Sequence, residues 1–160
     1  MIQTDTIVAI STPKGEGGIG IVRLSGPKAL PISQQMFRSQ PPLGQRVRHV
    51  EYGQIWAGGH SVDTGVAWFF VGPHSYTGED TVEISCHGSM LILESVVGEA
   101  LRLGAASAEP GEFTRRAYLN GRLDLIEAEA VIDLIQASSK ASLENAYGQA
   151  GGRLSGMVGL

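Results

Sequence analysis

Val66-Ala67-Trp68-Phe69-Phe70-Val71 is an unbroken apolar run of β-branched and aromatic residues. Too short for an ordinary helix and bounded by turn residues, it reads as a central strand of a sheet. It closes a longer segment, Val62 to Val71. Upstream, Val47 to Trp56 reads as another strand, and the turn Ala57-Gly58-Gly59 joins the two as a hairpin. Downstream, beyond the loop Gly72 to Gly78, Thr81 to Cys86 alternates β-branched and polar residues as a third strand. Nearer the start, Thr6 to Ile10 and Ile19 to Leu24 read as strands on either side of the Gly/Pro loop Ser11 to Gly18.

Helical signals lie between and after these strands. Gly26-Pro27 suggests a helix start, yet Pro31 removes an interior hydrogen bond from a helix begun that early. The start lies either there or later, with Pro31 near the first turn, and the helix runs to about Phe37. Gln40 to Gly44 is a loop. Ser89 is an N-cap for a helix over Met90 to Leu103, with Leu93, Val96, Val97, Ala100 and Leu101 as its apolar stripe and Gly104 as its stop. Phe113 to Leu119 is a short helix ended by Asn120-Gly121. A last helix starts near Ile126, with Ala128, Val131, Leu134, Ile135 and Ser138 on one face. Past Ser138 the stripe fades into alanine, serine and glycine, and Gly148, Gly151, Gly152 and Gly156 each weaken a helix by about 1 kcal/mol relative to alanine. The expected fold is α/β (α+β), a mixed sheet with packed helices over residues 1–118, followed by a helical segment over 119–160.

Composition narrows the function. The chain of 160 residues is 42% hydrophobic and 18% charged, a globular balance. Its net charge of −4 disfavours a domain whose main task is gripping phosphate backbones. The single cysteine, Cys86, permits no internal disulfide and suits a reducing cytoplasm. Met1 to Asp5 carries no signal-peptide pattern, and no apolar run approaches the roughly 20 residues that span a bilayer, so no membrane partner is expected.

Several stretches carry possible chemistry. Gly15-Glu16-Gly17-Gly18-Ile19-Gly20 matches G-x-G-x-x-G, but a dinucleotide loop needs a helix directly behind it, and a strand-like run follows here. A tight turn is the better reading, with backbone approach to a small ligand left open. The phosphate loop G-x-x-x-x-G-K-[ST] is absent from the chain. His49, His60, His74 and His87 are scattered, and neighbouring Cys86 and His87 point to opposite faces of a strand, so no metal site is expected. Tyr76-Thr77-Gly78-Glu79-Asp80-Thr81-Val82-Glu83 sets acids beside a glycine turn at a strand entrance; turn chemistry with Asp80 as a cap accounts for it, and so does a binding role. Glu112 to Arg122 carries a basic cluster, either a helix face with a Glu–Arg pair or an anion site.

Taken together, Asp5-Thr6-Ile7-Val8-Ala9, Thr12-Pro13, Gly17 to Gly26, Tyr76-Thr77-Gly78-Glu79-Asp80 and His87-Gly88 resemble the opening of the tRNA-modifying GTPases of the MnmE (TrmE) family. Pro110 to Thr114, Arg116-Ala117, Leu119-Asn120, Leu123-Asp124-Leu125, Ala128-Glu129-Ala130 and Asp133-Leu134-Ile135 continue the likeness in the same order. The resemblance implies an N-terminal domain that binds 5-formyl-tetrahydrofolate or a related folate and forms the homodimer. It implies a helical domain after it and a GTPase domain inserted there, using GTP, potassium and magnesium. It also implies action with a flavin-dependent partner protein on carbon 5 of the wobble uridine of certain tRNAs. Three folate-contacting positions carry over: Arg23 in the G-I-V-R-L strand, Glu79 in the T-G-E-D turn, and Arg122, where the family commonly has lysine. A carboxylate can accept the adjacent N–H donors of a pterin in parallel, and cations can pair the carboxylates of the folate tail. With the GTPase domain missing, the chain is expected to be a fragment that holds no catalytic residue. A self-contained folate-dependent one-carbon transferase and a purely structural dimerisation module are the rival readings.

Overall fold

The computed structural model describes residues 4–151, so Gly152 and Gly156 lie outside the described residues. The chain forms two compact units, Met1–Ser75 with Glu79–Glu109, and Tyr76–Gly78 with Pro110–Leu160.

The first unit contains strands β1 (Ile7–Ile10), β2 (Gly17–Ser25), β3 (Phe37–Ser39), β4 (Val50–Ala57), β5 (His60–Phe70), β6 (Thr81–Gly88) and β7 (Ala106–Ser107), with helices α1 (Ala29–Met36) and α2 (Met90–Arg102). Among the described residues these strands make one sheet in the order β3-β4-β5-β6-β2-β1-β7. All pairs are antiparallel except β1 with β7, so the sheet is mixed and the expected α/β class holds. β5 has a partner on each side, as its apolar run requires.

Strand pleat sends alternate residues to opposite faces. Val8, Val22, Leu24, Ile55, Ala67, Val82 and Ile84 point to one face, where they meet Ala29, Ile32 and Met36 of α1 and Leu93, Val96 and Ala100 of α2 in a single core. The stripe expected for α2 supplies three of those residues. Ser89 stands at its N-cap, but the hydroxyl makes no capping hydrogen bond. Pro31 is the third residue of α1, within the first turn, where the missing N–H has no helical acceptor to lose.

One strand had no expectation, and two local expectations are corrected. The chain passes straight from α1 into β3, and the Phe37 ring takes the space over Gly53 on β4. A three-residue strand carries no period for the sequence to show. The hairpin runs from Val50 and ends at Phe70, leaving Phe70 and Val71 at the rim, 38% and 42% exposed. The last helix is two, α4 (Leu125–Gln136) and α5 (Lys140–Ala150), broken at Ala137–Ser139. The break follows from sequence chemistry. Asp124 accepts from the Glu127 N–H at 2.8 Å, and Ser139 from the Ser142 N–H at 3.1 Å, so each helix opens with its own capping box.

The second unit also holds α3 (Glu112–Leu119), which starts after Gly111 in the left-handed region. Arg116 is fully buried in it and donates through Nε and Nη2 to Glu112 at 3.1 and 2.8 Å. The Glu–Arg pair read from the basic cluster is therefore present, but in the interior. No described helix is long and apolar enough to cross a membrane.

Candidate functional site

The face of the sheet opposite α1 and α2 is divided by chemistry. Its β4 and β5 half is apolar: Val50 stands opposite Trp68 and Tyr52 opposite Val66, and the rings of Trp68 and Phe70 meet edge to face at 6.4 Å. Val50 is 57% and Tyr52 69% exposed. At the rim, Val47, Val50, Trp68, Phe70 and Val71 line a cavity of about 650 Å³ together with Arg48, His49 and His74. The loop beside it is tied down by Arg46, which donates to buried Glu51 at 2.9 and 2.6 Å and holds that carboxyl below the usual range.

The β6 and β2 half is polar. Register sets Arg23 directly opposite Glu83 and Ser25 opposite Thr81. Arg23 donates through Nε to Glu83 Oε1 at 2.9 Å, and its Nη2 stands 2.9 Å from the same oxygen as an ion pair, with both side chains partly buried. Glu79 stands at the entrance to β6, anchored at backbone and side chain alike. Its carbonyl accepts from the Ser75 and Thr81 hydroxyls, and its carboxylate Oε2 accepts from the Ser25 hydroxyl at 2.6 Å. Ser25 is fully buried. Asp80 next door does different work: Oδ1 accepts the Gly72 N–H at 2.9 Å and its carbonyl the Gly26 N–H at 2.9 Å, so this acid closes turns.

Of the three positions singled out in the sequence, Arg23 on β2 and Glu79 just before β6 thus fall in the first unit, toward one face of the sheet. Arg122 belongs to the second unit. It is exposed in the turn after α3, its N–H donates to the Ala117 carbonyl at 2.8 Å, and its stem faces Gly78. Gly78 has φ +79°, where any other residue is strained, and a Cβ there would also crowd Asn120 at 3.0 Å and Arg122 at 3.2 Å. Asn120 fixes the same turn by donating from Nδ2 to the Thr77 carbonyl at 2.8 Å.

Two partners of the site were not read from the sequence. Ser25 and Glu83 lie 54 and 60 residues from the side chains they hold, and only the β2–β6 register brings them together. The G-x-G-x-x-G stretch runs into β2 rather than a helix, which agrees with the tight-turn reading. His87 and Cys86 do point oppositely: Cys86 is buried, while the exposed His87 ring lies 2.9 Å from Asp63 and its backbone N–H donates to the same carboxylate. Burial alone raises Asp63, but these bonds from His87 outweigh it and hold the carboxyl below its ordinary value. Among the described residues, no three His, Cys, Asp or Glu side chains gather as a metal-binding group.

Comparison with known proteins agrees with the likeness seen in the motifs. The family described as GTP-binding protein TrmE N-terminus matches residues 6–122. A "tRNA modification GTPase MnmE" of Symbiobacterium thermophilum is 51% identical over 159 residues, covering 97% of this chain and 35% of the relative. Proteins of the same name from Roseiflexus castenholzii and Geobacter sulfurreducens are 51% and 50% identical, each over 97% of this chain and 34% of its own length. The chain therefore spans about a third of the length of the curated relatives it matches.

Proposed function

We propose, from the premise that this chain belongs to the TrmE N-terminal family, that it is the folate-binding and dimer-forming part of a larger GTP-hydrolysing tRNA modification enzyme. The observation that carries the folate reading is Glu79, a carboxylate fixed at backbone and side chain beside an arginine on the same sheet face. The donor set fits a folate head group. Glu79 accepts N–H donors of the pterin and Arg23 supplies N–H donors on the same sheet face, while Arg122 is a third contacting position on the family likeness alone. The folate, when bound, supplies a one-carbon unit; the side chains of this part bind and orient it.

The remaining activity belongs to the whole protein. There GTP hydrolysis with potassium and magnesium, a flavin-dependent partner protein and tRNA meet in modifying carbon 5 of the wobble uridine, in the cytoplasm. The names of the relatives support the GTPase and tRNA readings. The apolar β4–β5 half of the open face supports self-association, because contiguous exposed apolar surface marks interaction sites.

Calorimetric titration of 5-formyl-tetrahydrofolate into the chain, run beside assays for one-carbon transfer and GTP turnover, separates the readings. Saturable binding without turnover is the expected result. Transfer of the one-carbon unit favours a self-contained transferase, and no binding up to millimolar ligand favours a purely structural module. GTP turnover would contradict the placement of hydrolysis outside this chain.

A further inference from the structure

The two site residues on the β2–β6 ribbon do not hold themselves. Long charged side chains lose several rotors' worth of entropy when fixed, and a ligand must supply that ordering unless the protein has done so first. Here it is done first, at both positions. The Ser25 hydroxyl, fully buried on β2, donates to Glu79 Oε2 at 2.6 Å, within the range of a charge-assisted bond. Glu83 on β6 accepts from Arg23 Nε at 2.9 Å and pairs Nη2 at the same distance, and the two residues are register partners, so backbone pairing sets their separation.

We propose that Ser25 and Glu83 are the positioning residues of the folate site: Ser25 aims the Glu79 carboxylate, Glu83 aims the Arg23 guanidinium, and each acts only through the residue it holds. The inference rests on the folate reading above. Glu83 also sets what Arg23 selects. Its charge offsets that of the guanidinium, so Arg23 favours the donor-rich, neutral head group over the anionic tail. Arg23 then contributes N–H geometry to the head group rather than net positive charge to a carboxylate.

Two double-mutant cycles test this, with 5-formyl-tetrahydrofolate as the titrant up to millimolar concentration and thermal melts confirming folding. One cycle is Ser25→Ala with Glu79→Ala; the other is Glu83→Gln with Arg23→Ala, since alanine leaves neither an acceptor for Ser25 nor a cation for Glu83. Each positioning variant alone should weaken binding about five- to thirtyfold. In the background lacking its partner, each should cost less than about twofold. A residue that only supports the fold would instead cost the same factor in both backgrounds, and that result overturns the proposal, as does unchanged binding by Ser25→Ala and Glu83→Gln. Should buried Ser25→Ala not fold, the Glu83 cycle decides alone, since that pair is less buried. For the selectivity, Glu83→Gln should raise affinity for the tail fragment p-aminobenzoylglutamate while lowering it for the whole folate; parallel loss for both contradicts it. No binding by the unaltered chain overturns the folate reading itself and this inference with it, whereas wild-type binding with insensitive variants overturns this inference alone.

Discussion

Glu79 and Asp80 are adjacent acids with separate tasks, and the separation is testable. Glu79 presents a carboxylate braced by Ser25, whereas Asp80 spends its oxygens on the Gly72 and Gly26 amides. Glu79→Gln keeps the shape but sets an amide donor against a ligand donor. Each hydrogen bond to a charged group is worth roughly 1.5–3 kcal/mol, so the loss should be at least about 2 kcal/mol, or roughly thirtyfold in folate affinity. Asp80→Asn retains an acceptor for the Gly72 amide and should bind like the wild type. Equal losses in the two variants would remove the distinction. Cys86 gives a second prediction. Burial first, and the negative charge of Asp63 second, push its thiol up to about 11. In the unfolded chain it ionises near about 8.5. The folded state therefore disfavours the thiolate, and stability that is complete below about pH 8.5 is lost as pH rises toward 11. The melting-temperature advantage of wild type over Cys86→Ala should shrink between about pH 8 and 10.5; a constant difference would contradict the assignment.

Among the elements, close approach of backbones is what the glycines permit. Gly53 on β4 and Gly65 on β5 are register partners. A methyl group at Gly65 would overlap the Ser85 carbonyl oxygen in the β5–β6 ladder, a contact that cannot rotate away. Gly65→Ala should cost about 1–3 kcal/mol in denaturant unfolding. Gly98→Ala, on the exposed side of α2 with nothing within 4 Å, should instead stabilise by about 0.5–1 kcal/mol. Reversal of that order would mean that the β5–β6 spacing is wrong. The same elements show what was legible in the sequence. Long periodic stretches such as β5 and α2 announced themselves through apolar spacing. β3 and β7, three and two residues long, exist only because β4 and β1 offer edges to pair with, and no local pattern encodes that. The split between α4 and α5 was legible in principle, since Ser139 is a good capping residue, but a fading stripe hid it. Arg23, Glu79 and Arg122 were found through family motifs, while Ser25 and Glu83 required the strand register.

For the molecule as a whole, one sheet face carries two halves, an apolar one suited to a partner and a polar one suited to a ligand. Two-fold dimers are the commonest soluble assembly, and the β4–β5 half of the open face presents Val50 and Tyr52 largely exposed. Sedimentation equilibrium at micromolar concentration should report a dimer, and Tyr52→Asp should shift it toward monomer; a wild-type monomer across that range would contradict the assignment. Whether folate seats on the β2–β6 ribbon can be read from backbone amide shifts of the isotope-labelled chain as 5-formyl-tetrahydrofolate is added. Saturable shifts should be largest at Arg23 to Ser25 and at Glu79 to Glu83, with the far end of β6 at His87 and Gly88 little moved. Shifts absent at saturating ligand, or concentrated away from β2 and the entrance of β6, would contradict that placement.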